Sequence, residues 1–307
     1  MRVCAPTASR SALDRFDRAG CIPSGPFSDS QLRQQLGSWG DISTGPEVMP
    51  VTSPSTSESG YSPQVLADQM LDILVGALHL RPHRSFPLNM NGHGERVGRV
   101  TVYDGDHGTR IVDARLVVES SGIDSMMLHA FSDPATDLPH LTSDVAGVGS
   151  RWAFHVDLMP RVDLPGDLST LEGLYEPLTP IYERAHSIPG STPIPLPPRV
   201  RALSSAWIVG VTFDFTNAGG GRDAVQVMTD TFEAYVRTWL RCVDEGLPGL
   251  GTPESYLRPH GEAARARDAR QRFALFHPDS DPVWGLLDNL VGPTDAAAIL
   301  ELIRGLV

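Results

Sequence analysis

The chain has 307 residues, of which 41% are hydrophobic, and a formal net charge of −12 at pH 7. This length allows one large hydrophobic core or two small ones, and no apolar run approaches the roughly 20 residues that a membrane-spanning helix requires. A nucleic-acid partner is not expected, because phosphate neutralisation requires a positive surface and no basic cluster interleaves with aromatic residues.

The first 60 residues differ in composition from the rest of the chain. They are rich in Ser, Pro, Gly and Thr and end in the low-complexity stretch VTSPSTSESG. Such a segment has little apolar area to offset its ordering entropy, so we predict that residues 1–60 are disordered or loosely attached and that residues 61–307 form the folded domain. The N-terminus lacks the apolar core of a secretory signal, which favours a cytoplasmic protein.

The folded part begins with a predicted helix over Ser62–Leu80, where Ser62 is suited to cap the helix and Pro63 to occupy its first position. A series of strands follows from about Arg96 to Leu158, since apolar or alternating runs are separated by turn residues. The clearest of these strands are Arg115–Glu119, Ser125–Phe131, His140–Val145 and Trp152–Leu158.

The second half of the chain is predicted to contain mainly helices. The predicted elements are a helical stretch over Asp167–His186, an extended connection over Ile188–Pro198, a strand over Arg201–Phe215, a long amphipathic helix that includes Val225–Cys242, and helices near Pro259–Phe276 and Pro293–Leu306. Antiparallel strands with helices before and after them predict an α+β sandwich.

The residue types that are missing exclude several kinds of chemistry. All 25 lysine and arginine positions are arginine, which excludes a Schiff-base lysine, a pyridoxal phosphate anchor and a Walker A lysine. Cys4, Cys21 and Cys242 are far apart, so neither a disulfide scaffold nor a protein-bound iron–sulfur cluster is expected. No glycine-rich dinucleotide motif follows a predicted strand, so any redox chemistry should take its electrons from outside.

Four ionisable residues lie inside otherwise apolar predicted strands: His129, Asp144, His155 and Asp157. Burying an unpaired charge costs several kcal/mol or shifts its pKa, so these positions are candidates for function. For Asp157 the favoured interpretation is structural, as a strand-end aspartate that holds the chain. No metal site is expected, because His79, His83 and His93 lack ligand spacing with any pair of carboxylates.

Five sequence motifs occur in order between residues 62 and 307: SSGIDSMMLHAF, HVDLMPRVDL, LEGLYEPL, FEAYVRTWLRCVDEG and RQRFALFHPDSDPVWGLLDNLVGP. In this order they resemble the ferredoxin-dependent bilin reductase superfamily, and most closely red chlorophyll catabolite reductase. The resemblance implies an α/β/α sandwich with a central antiparallel sheet and an open-chain tetrapyrrole between the sheet and the C-terminal helices. It also implies no bound cofactor, reduced ferredoxin as the external electron donor, and acidic side chains as proton donors.

The resemblance also implies roles for individual residues. Asp144, in LTSDVAGVG, matches the proton-donating aspartate of bilin reductases, and His129, in MMLHAF, matches their histidine. Asp214 corresponds to a second acidic or amide position, and Glu119 to a glutamate on the strand before His129. The chain departs from the family pattern at Ser143 and in a short loop between His129 and Asp144. A turn aspartate is the alternative interpretation of Asp144.

Candidate substrate-binding residues are arginines and aromatics. Guanidinium groups bind carboxylates through two hydrogen bonds, so tetrapyrrole propionates have four candidate partners: Arg151, Arg161, Arg199 and Arg201. Trp207 and Phe213 are candidates to stack on a flat conjugated ligand. The alternatives are solvated arginines and ordinary core aromatics. We expect the ligand cavity to lie between the sheet and the helices after Gly221, including the Val225–Cys242 helix.

Three functions are compatible with these observations. The first is a cofactor-free, ferredoxin-dependent reductase of a linear tetrapyrrole, with Asp144 and His129 supplying protons. The second is a non-redox descendant that binds or transforms another conjugated small molecule in specialised metabolism. The third is a tetrapyrrole-binding protein without turnover. An acidic chain is poorly suited to an acidic ferredoxin unless arginines cluster locally.

Overall fold

A single antiparallel sheet of eight strands forms the centre of the fold. The strands are β1 (Arg81–Asn89), β2 (Arg96–Asp104), β3 (Arg110–Val118), β4 (Ile123–Phe131), β5 (His140–Val148), β6 (Arg151–Met159), β7 (Thr192–Pro193) and β8 (Val209–Asp214). They lie side by side in the order β1-β2-β3-β4-β5-β6-β8-β7. This computed structural model describes residues 61–215, 221–248, 261–281 and 283–306, and the predicted disordered segment 1–60 lies outside the described residues.

Helices cover both faces of this sheet. In chain order they are α1 (Pro63–Leu78), α2 (Thr179–His186), α3 (Pro198–Leu203), α4 (Gly221–Glu245), α5 (Gly261–Leu275), α6 (Val283–Val291) and α7 (Pro293–Arg304). Helices α1, α2 and α4 pack on one face of the sheet, and α5, α6 and α7 pack on the other. The predicted α+β sandwich with a central antiparallel sheet is therefore confirmed.

Between β6 and α2 the chain forms short helical turns. These are a 3-10 turn (Leu164–Gly166), an α-helical turn (Leu168–Thr170), a π-helical turn (Leu171–Tyr175) and a second 3-10 turn (Glu176–Leu178). This region was predicted to be one kinked helical stretch. Its shape follows from the prolines at both ends, because proline removes a backbone donor and interrupts an α-helix.

Strand alternation divides the core into two layers. On β6, the side chains of Phe154, Val156 and Leu158 enter the core beneath α4, because successive residues of a strand point to opposite faces. The intervening residue His155 points to the other face, toward α5–α7. Because helices cover both faces of the sheet, both the ionisable and the apolar side chains of β6 are shielded from water.

Helix α1 begins at the predicted residue. The Ser62 hydroxyl accepts a hydrogen bond from the backbone N–H of Val65 at 3.2 Å, and Pro63 is in the first turn. Val65 itself is 37% exposed. The side chains that α1 buries include Leu66, Ala67, Met70, Leu74 and Leu78.

Two elements differ from the sequence prediction. Strand β1 was not predicted, because its sequence RPHRSFPLN is largely polar and contains Pro82 and Pro87. Proline is tolerated there because β1 is an edge strand. The predicted strand over Arg201–Phe215 begins only at Val209, since Pro198–Leu203 forms α3. Proline at the start of α3 favours a helical first turn.

Candidate active site

A cavity of about 230 Å³ lies between the sheet and helices α5–α7. Strands β3–β6 form its floor, the end of α5 together with α6 and α7 forms its roof, and the β7–α3 connection closes one side. Most of its lining side chains are apolar, among them Leu116, Met127, Phe276, Trp284, Leu287 and Leu290. The cavity thus lies between the sheet and helices that follow Gly221, as expected. Helix α4 does not contribute, because it packs on the opposite face.

Five ionisable residues line this otherwise apolar cavity. Four of them are His129 on β4, Asp144 on β5, His155 on β6 and Asp281 just before α6. The guanidinium of the fifth, Arg115 on β3, is engaged by Asp68 of α1. Asp144 and His155 are direct partners in the β5–β6 pairing. The Nδ1 atom of His155 lies 2.8 Å from a carboxylate oxygen of Asp144. The sheet therefore brings three of the four ionisable strand positions singled out from the sequence, His129, Asp144 and His155, into one site.

His129 is held as a neutral imidazole. Its Nδ1 atom accepts a hydrogen bond from the backbone N–H of Ser143 at 3.1 Å, so Nε2 is the nitrogen that carries the hydrogen. Burial lowers the pKa of His129 to about 4. The imidazole also stacks on Phe276, with 5.4 Å between ring centroids. At neutral pH this residue can donate a hydrogen bond, but it holds no transferable proton.

Ser143 accounts for the departure from the family pattern next to Asp144. Its hydroxyl donates to the carbonyl of Leu128, and its backbone N–H is the donor to His129. A serine therefore ties β5 to β4 at the point where His129 is oriented.

His155 keeps its proton more strongly than an ordinary histidine. Burial lowers its pKa, but the charge of Asp144 and the hydrogen bond to it, followed by the charges of Asp157 and Asp281, outweigh burial and raise the pKa. The His155 side chain is 20% exposed and that of Asp144 is 28% exposed. The pair is thus a partly shielded reservoir for one proton at the cavity wall.

Asp281 is a site residue that the sequence prediction missed. Burial, together with the charge of Asp144, raises its pKa to about 6 against the opposing effects of the Val283 hydrogen bond and the His155 charge. The backbone N–H of Val283 donates to its carboxylate at 3.0 Å, so Asp281 also holds the start of α6. An aspartate two residues before a helix is ordinary capping chemistry, and no local signal distinguishes it. Only the packing of α6 over the sheet brings it to His155.

The other predicted catalytic residues lie outside the cavity. Glu119 is exposed in a 3-10 turn between β3 and β4. Asp214 ends β8, where it accepts a hydrogen bond from the Ser150 hydroxyl at 3.0 Å and lies 3.5 Å from Nε of Arg151. Arg151 itself is half exposed. These three predicted residues therefore form surface contacts at strand ends.

The predicted substrate-binding arginines also do not line the cavity. Arg161 is buried behind the site and donates to the carbonyls of Asp133 and Pro134. Arg201 is exposed on α3. Arg199 comes closest, since its guanidinium donates at 3.2 Å to the hydroxyl of Ser280, a lining residue.

The two predicted aromatic residues lie in the opposite core layer. Trp207 donates through Nε1 to the Thr179 hydroxyl at 2.8 Å, and Phe213 packs edge-to-face on Phe154. Both contact the core beneath α4. Asp157 also has a structural contact, because it accepts hydrogen bonds from the backbone N–H and the hydroxyl of Ser205.

The described residues 61–215, 221–248, 261–281 and 283–306 show neither a cluster of metal-ligating side chains nor a membrane-spanning helix. Within those ranges no group of three or more His, Cys, Asp or Glu side chains has an arrangement that could hold a metal ion. Among the same residues, no helix is both long and apolar enough to span a bilayer.

Comparisons with known proteins find a similarity of structure and no match to a family model or a curated sequence. The structure is similar to that of phytochromobilin synthase from tomato, crystallised in complex with biliverdin, with a TM-score of 0.61 and 16% sequence identity. The match covers 79% of this chain and 83% of the tomato protein. The protein therefore shares the fold of phytochromobilin synthase.

Proposed function

We propose that this protein is a cofactor-free reductase of an open-chain tetrapyrrole that receives single electrons from reduced ferredoxin. The observation that carries the proposal is the convergence of His129, Asp144, His155 and Asp281 on one otherwise apolar cavity. A flat conjugated ligand requires apolar walls, and its reduction requires protons at defined positions. A protein with the same fold binds biliverdin in its crystal structure, which supports a bilin-sized ligand.

The proposed reaction reduces one double bond of the ligand. It takes up two electrons, one from each of two reduced ferredoxins, and two protons from side chains that solvent later reprotonates. His155 with Asp144 supplies one proton, and Asp281, whose pKa is raised to about 6 by burial, supplies the other. His129 donates a hydrogen bond through Nε2 to a ligand carbonyl, since its own pKa of about 4 leaves it neutral.

A local arginine surface fits an acidic electron donor. Four exposed arginines lie on the β1–β2 edge: Arg81, Arg84, Arg96 and Arg99. Within the described residues none of them has a carboxylate at ion-pair distance. Leu88 of β1 lines the cavity, so this edge strand borders the space in which a ligand would bind. The positive patch offsets the acidic balance of the whole chain where a ferredoxin would dock. The location that we propose is the cytoplasm.

The substrate within the tetrapyrrole class follows from the motif order, which resembles red chlorophyll catabolite reductase. We therefore propose a bilin or a chlorophyll catabolite as substrate. Pockets for drug-sized ligands are typically about 300–1,000 Å³, whereas this cavity measures about 230 Å³. Binding of a tetrapyrrole would therefore require α6 and α7 to move outward from the sheet.

The cavity volume also favours a second candidate function. A smaller conjugated molecule would fit about 230 Å³ without movement of the roof. In that case the fold has been reused to bind or transform another compound of specialised metabolism, without electron transfer. The same four ionisable residues would then act as acid and base in a rearrangement.

Mixing the purified protein with biliverdin distinguishes these functions. A shift of the visible absorption band, followed by bleaching when reduced ferredoxin is added without oxygen, is expected for a reductase. A shift without ferredoxin-driven bleaching indicates binding alone. No shift with biliverdin or with a chlorophyll catabolite contradicts the tetrapyrrole proposal and favours the smaller ligand. Biliverdin with reduced ferredoxin but no protein is the control.

A further inference from the structure

A cluster of buried charges lies behind the His129 end of the cavity. Arg161, Asp268 and Arg272 are 1%, 3% and 5% exposed. The carboxylate of Asp268 lies 3.3 Å from Nε of Arg161 and 3.6 Å from Nη1 of Arg272. Two guanidinium groups thus share one carboxylate, and the cluster carries one excess positive charge.

The nearby histidine adds no charge to this cluster. Nε2 of His140 lies 2.5 Å from the Asp268 carboxylate, and Nδ1 of His140 accepts a hydrogen bond from the backbone N–H of Ser132. Burial lowers the pKa of His140 to about 3, so the imidazole is neutral and donates through Nε2. Burial also lowers the pKa of Arg272, to about 10, which leaves that guanidinium charged at neutral pH.

The excess charge is concentrated on Arg272. Arg161 lies near two further carboxylates, Asp133 and Asp137. Apart from the shared Asp268, the main charges that act on the pKa of Arg272 are those of Arg161 and Arg110, both positive. Its remaining hydrogen bonds go to backbone carbonyls in the last turn of α7, those of Leu302 and Ile303, where the negative end of the helix dipole offsets only part of a unit charge.

Aromatic rings connect this guanidinium to His129 at the cavity wall. The Cζ atom of Arg272 lies 3.8 Å from the centroid of Phe131, whose ring packs edge-to-face against His129. Phe276 is one turn further along the chain from Arg272; it stacks on His129 and lines the cavity. Charges act over longer distances through such an apolar layer than through water.

We propose that Arg272, acting through the aromatic rings beside it, stabilises the negative charge that a ligand in the cavity acquires when it accepts one electron. The inference rests on the proposed function. Reduced ferredoxin is oxidised by one electron, the ligand becomes a radical anion, and a proton from the site then neutralises it. Asp268 moderates the effect, because its carboxylate opposes the charge of Arg272.

Two variants that each remove one charge test this proposal. Arg272→Met removes the positive charge and Asp268→Asn removes the negative one. The midpoint potential of protein-bound biliverdin for its first electron, measured by spectroelectrochemistry, should become more negative in Arg272→Met and more positive in Asp268→Asn. If Arg272 has only a structural role, the midpoint potential should shift in the same direction in both variants or in neither. That result overturns the proposal.

A second measurement requires neither ligand nor turnover. Beside burial and a backbone hydrogen bond of Leu128, the pKa of His129 responds to the charges of Asp144, His155 and Arg272. Followed by NMR in the ligand-free protein, the pKa of His129 should rise in Arg272→Met and fall in Asp268→Asn. Opposite shifts of the His129 pKa in the two variants support the electrostatic role of Arg272, even if biliverdin does not bind. In that case the proposed function is contradicted and the role of Arg272 is not. If biliverdin is reduced and neither quantity shifts, only the role of Arg272 is overturned.

Folding of the variants is checked by their thermal transitions. If Arg272→Met does not fold, Asp268→Asn decides alone: an upward shift of the potential supports the proposal, and no shift or a downward one contradicts it. Arg272→Lys keeps the charge and should preserve the potential of the unaltered protein.

Discussion

His155 and Asp144 face each other across strands β5 and β6, with Nδ1 of the imidazole 2.8 Å from a carboxylate oxygen. A charged acceptor at this distance keeps the proton on the imidazole, and both side chains reach the same cavity. The two residues therefore act as one proton-holding unit, and changing either one should change the proton supply of the site.

Asp144→Asn should retain ligand affinity and slow turnover by about 10²-fold or more. Asparagine has nearly the shape of aspartate, but it neither cycles a proton nor stabilises the protonated His155. A one-electron radical of the ligand should accumulate and be visible by electron paramagnetic resonance. Asp214→Asn, at the end of β8 and away from the cavity, is the matched control and should turn over normally. Normal turnover of Asp144→Asn would assign the proton transfer to Asp281.

Asp281 should impose a pH limit on turnover near neutrality. Its pKa is raised to about 6 by burial, so the protonated form that donates is present below that pH and is lost above it. The rate should fall as pH rises through about 6, and Asp281→Asn should lack this step and be slower at low pH. Asp279→Asn, at an exposed carboxylate two residues away, is the control. If the rate of Asp281→Asn also falls as pH rises through about 6, another group causes this pH dependence.

The neutral buried histidines should make the protein sensitive to acid. Burial lowers the pKa of His129 to about 4 and that of His140 to about 3, below their usual value near 6.5. The unfolded chain therefore takes up protons first as pH falls. Stability present above about pH 6.5 is lost progressively toward pH 4, by roughly 1.4 kcal/mol per pKa unit and per histidine at most.

Urea titrations between pH 7 and pH 4 measure this loss of stability. In His129→Gln the decrease in the free energy of unfolding should be smaller, because one of the two titrating groups is absent. His93→Gln, at an exposed histidine, should leave the decrease unchanged. An identical pH dependence in the His129 variant would contradict the neutral assignment of that imidazole.

Neutralising the arginine surface on β1 and β2 should weaken the interaction with ferredoxin. Arg84→Ser combined with Arg99→Ser removes two exposed charges, so the KM for ferredoxin should rise several-fold and its dependence on salt should weaken. Binding of biliverdin should not change. Arg241→Ser removes an exposed charge from α4 and is the control. An equal rise of KM in the control would place the docking surface elsewhere.

Deletion of residues 1–60 should leave the Tm nearly unchanged. The segment is rich in Ser and Pro and offers little apolar area to a core. The measurement compares thermal unfolding of the full chain with that of residues 61–307. A large decrease in Tm would show that the segment contributes to the folded core.

The sequence predicts the sheet well where alternation is strong and poorly where other forces decide. Strands β4 and β6 are recognisable because both faces supply apolar residues, but that double burial hides which face holds the ligand. Trp207 and Phe213 were therefore assigned to the cavity, although they lie in the opposite core layer. Asp281 could not be predicted at all, because its role depends on where α6 packs and not on its own neighbours.

Strand β1 has a further consequence for how partners associate with the protein. Among the described residues no strand pairs with its outer edge, and an open edge invites pairing with another strand. Pro82 and Pro87 have no N–H to offer an incoming strand, and Arg81 and Arg84 repel a second copy of the same edge. The arginine surface is therefore protected from fibril-like self-association, and the acidic carrier proposed above would be held there by side-chain charge and would leave quickly after each electron.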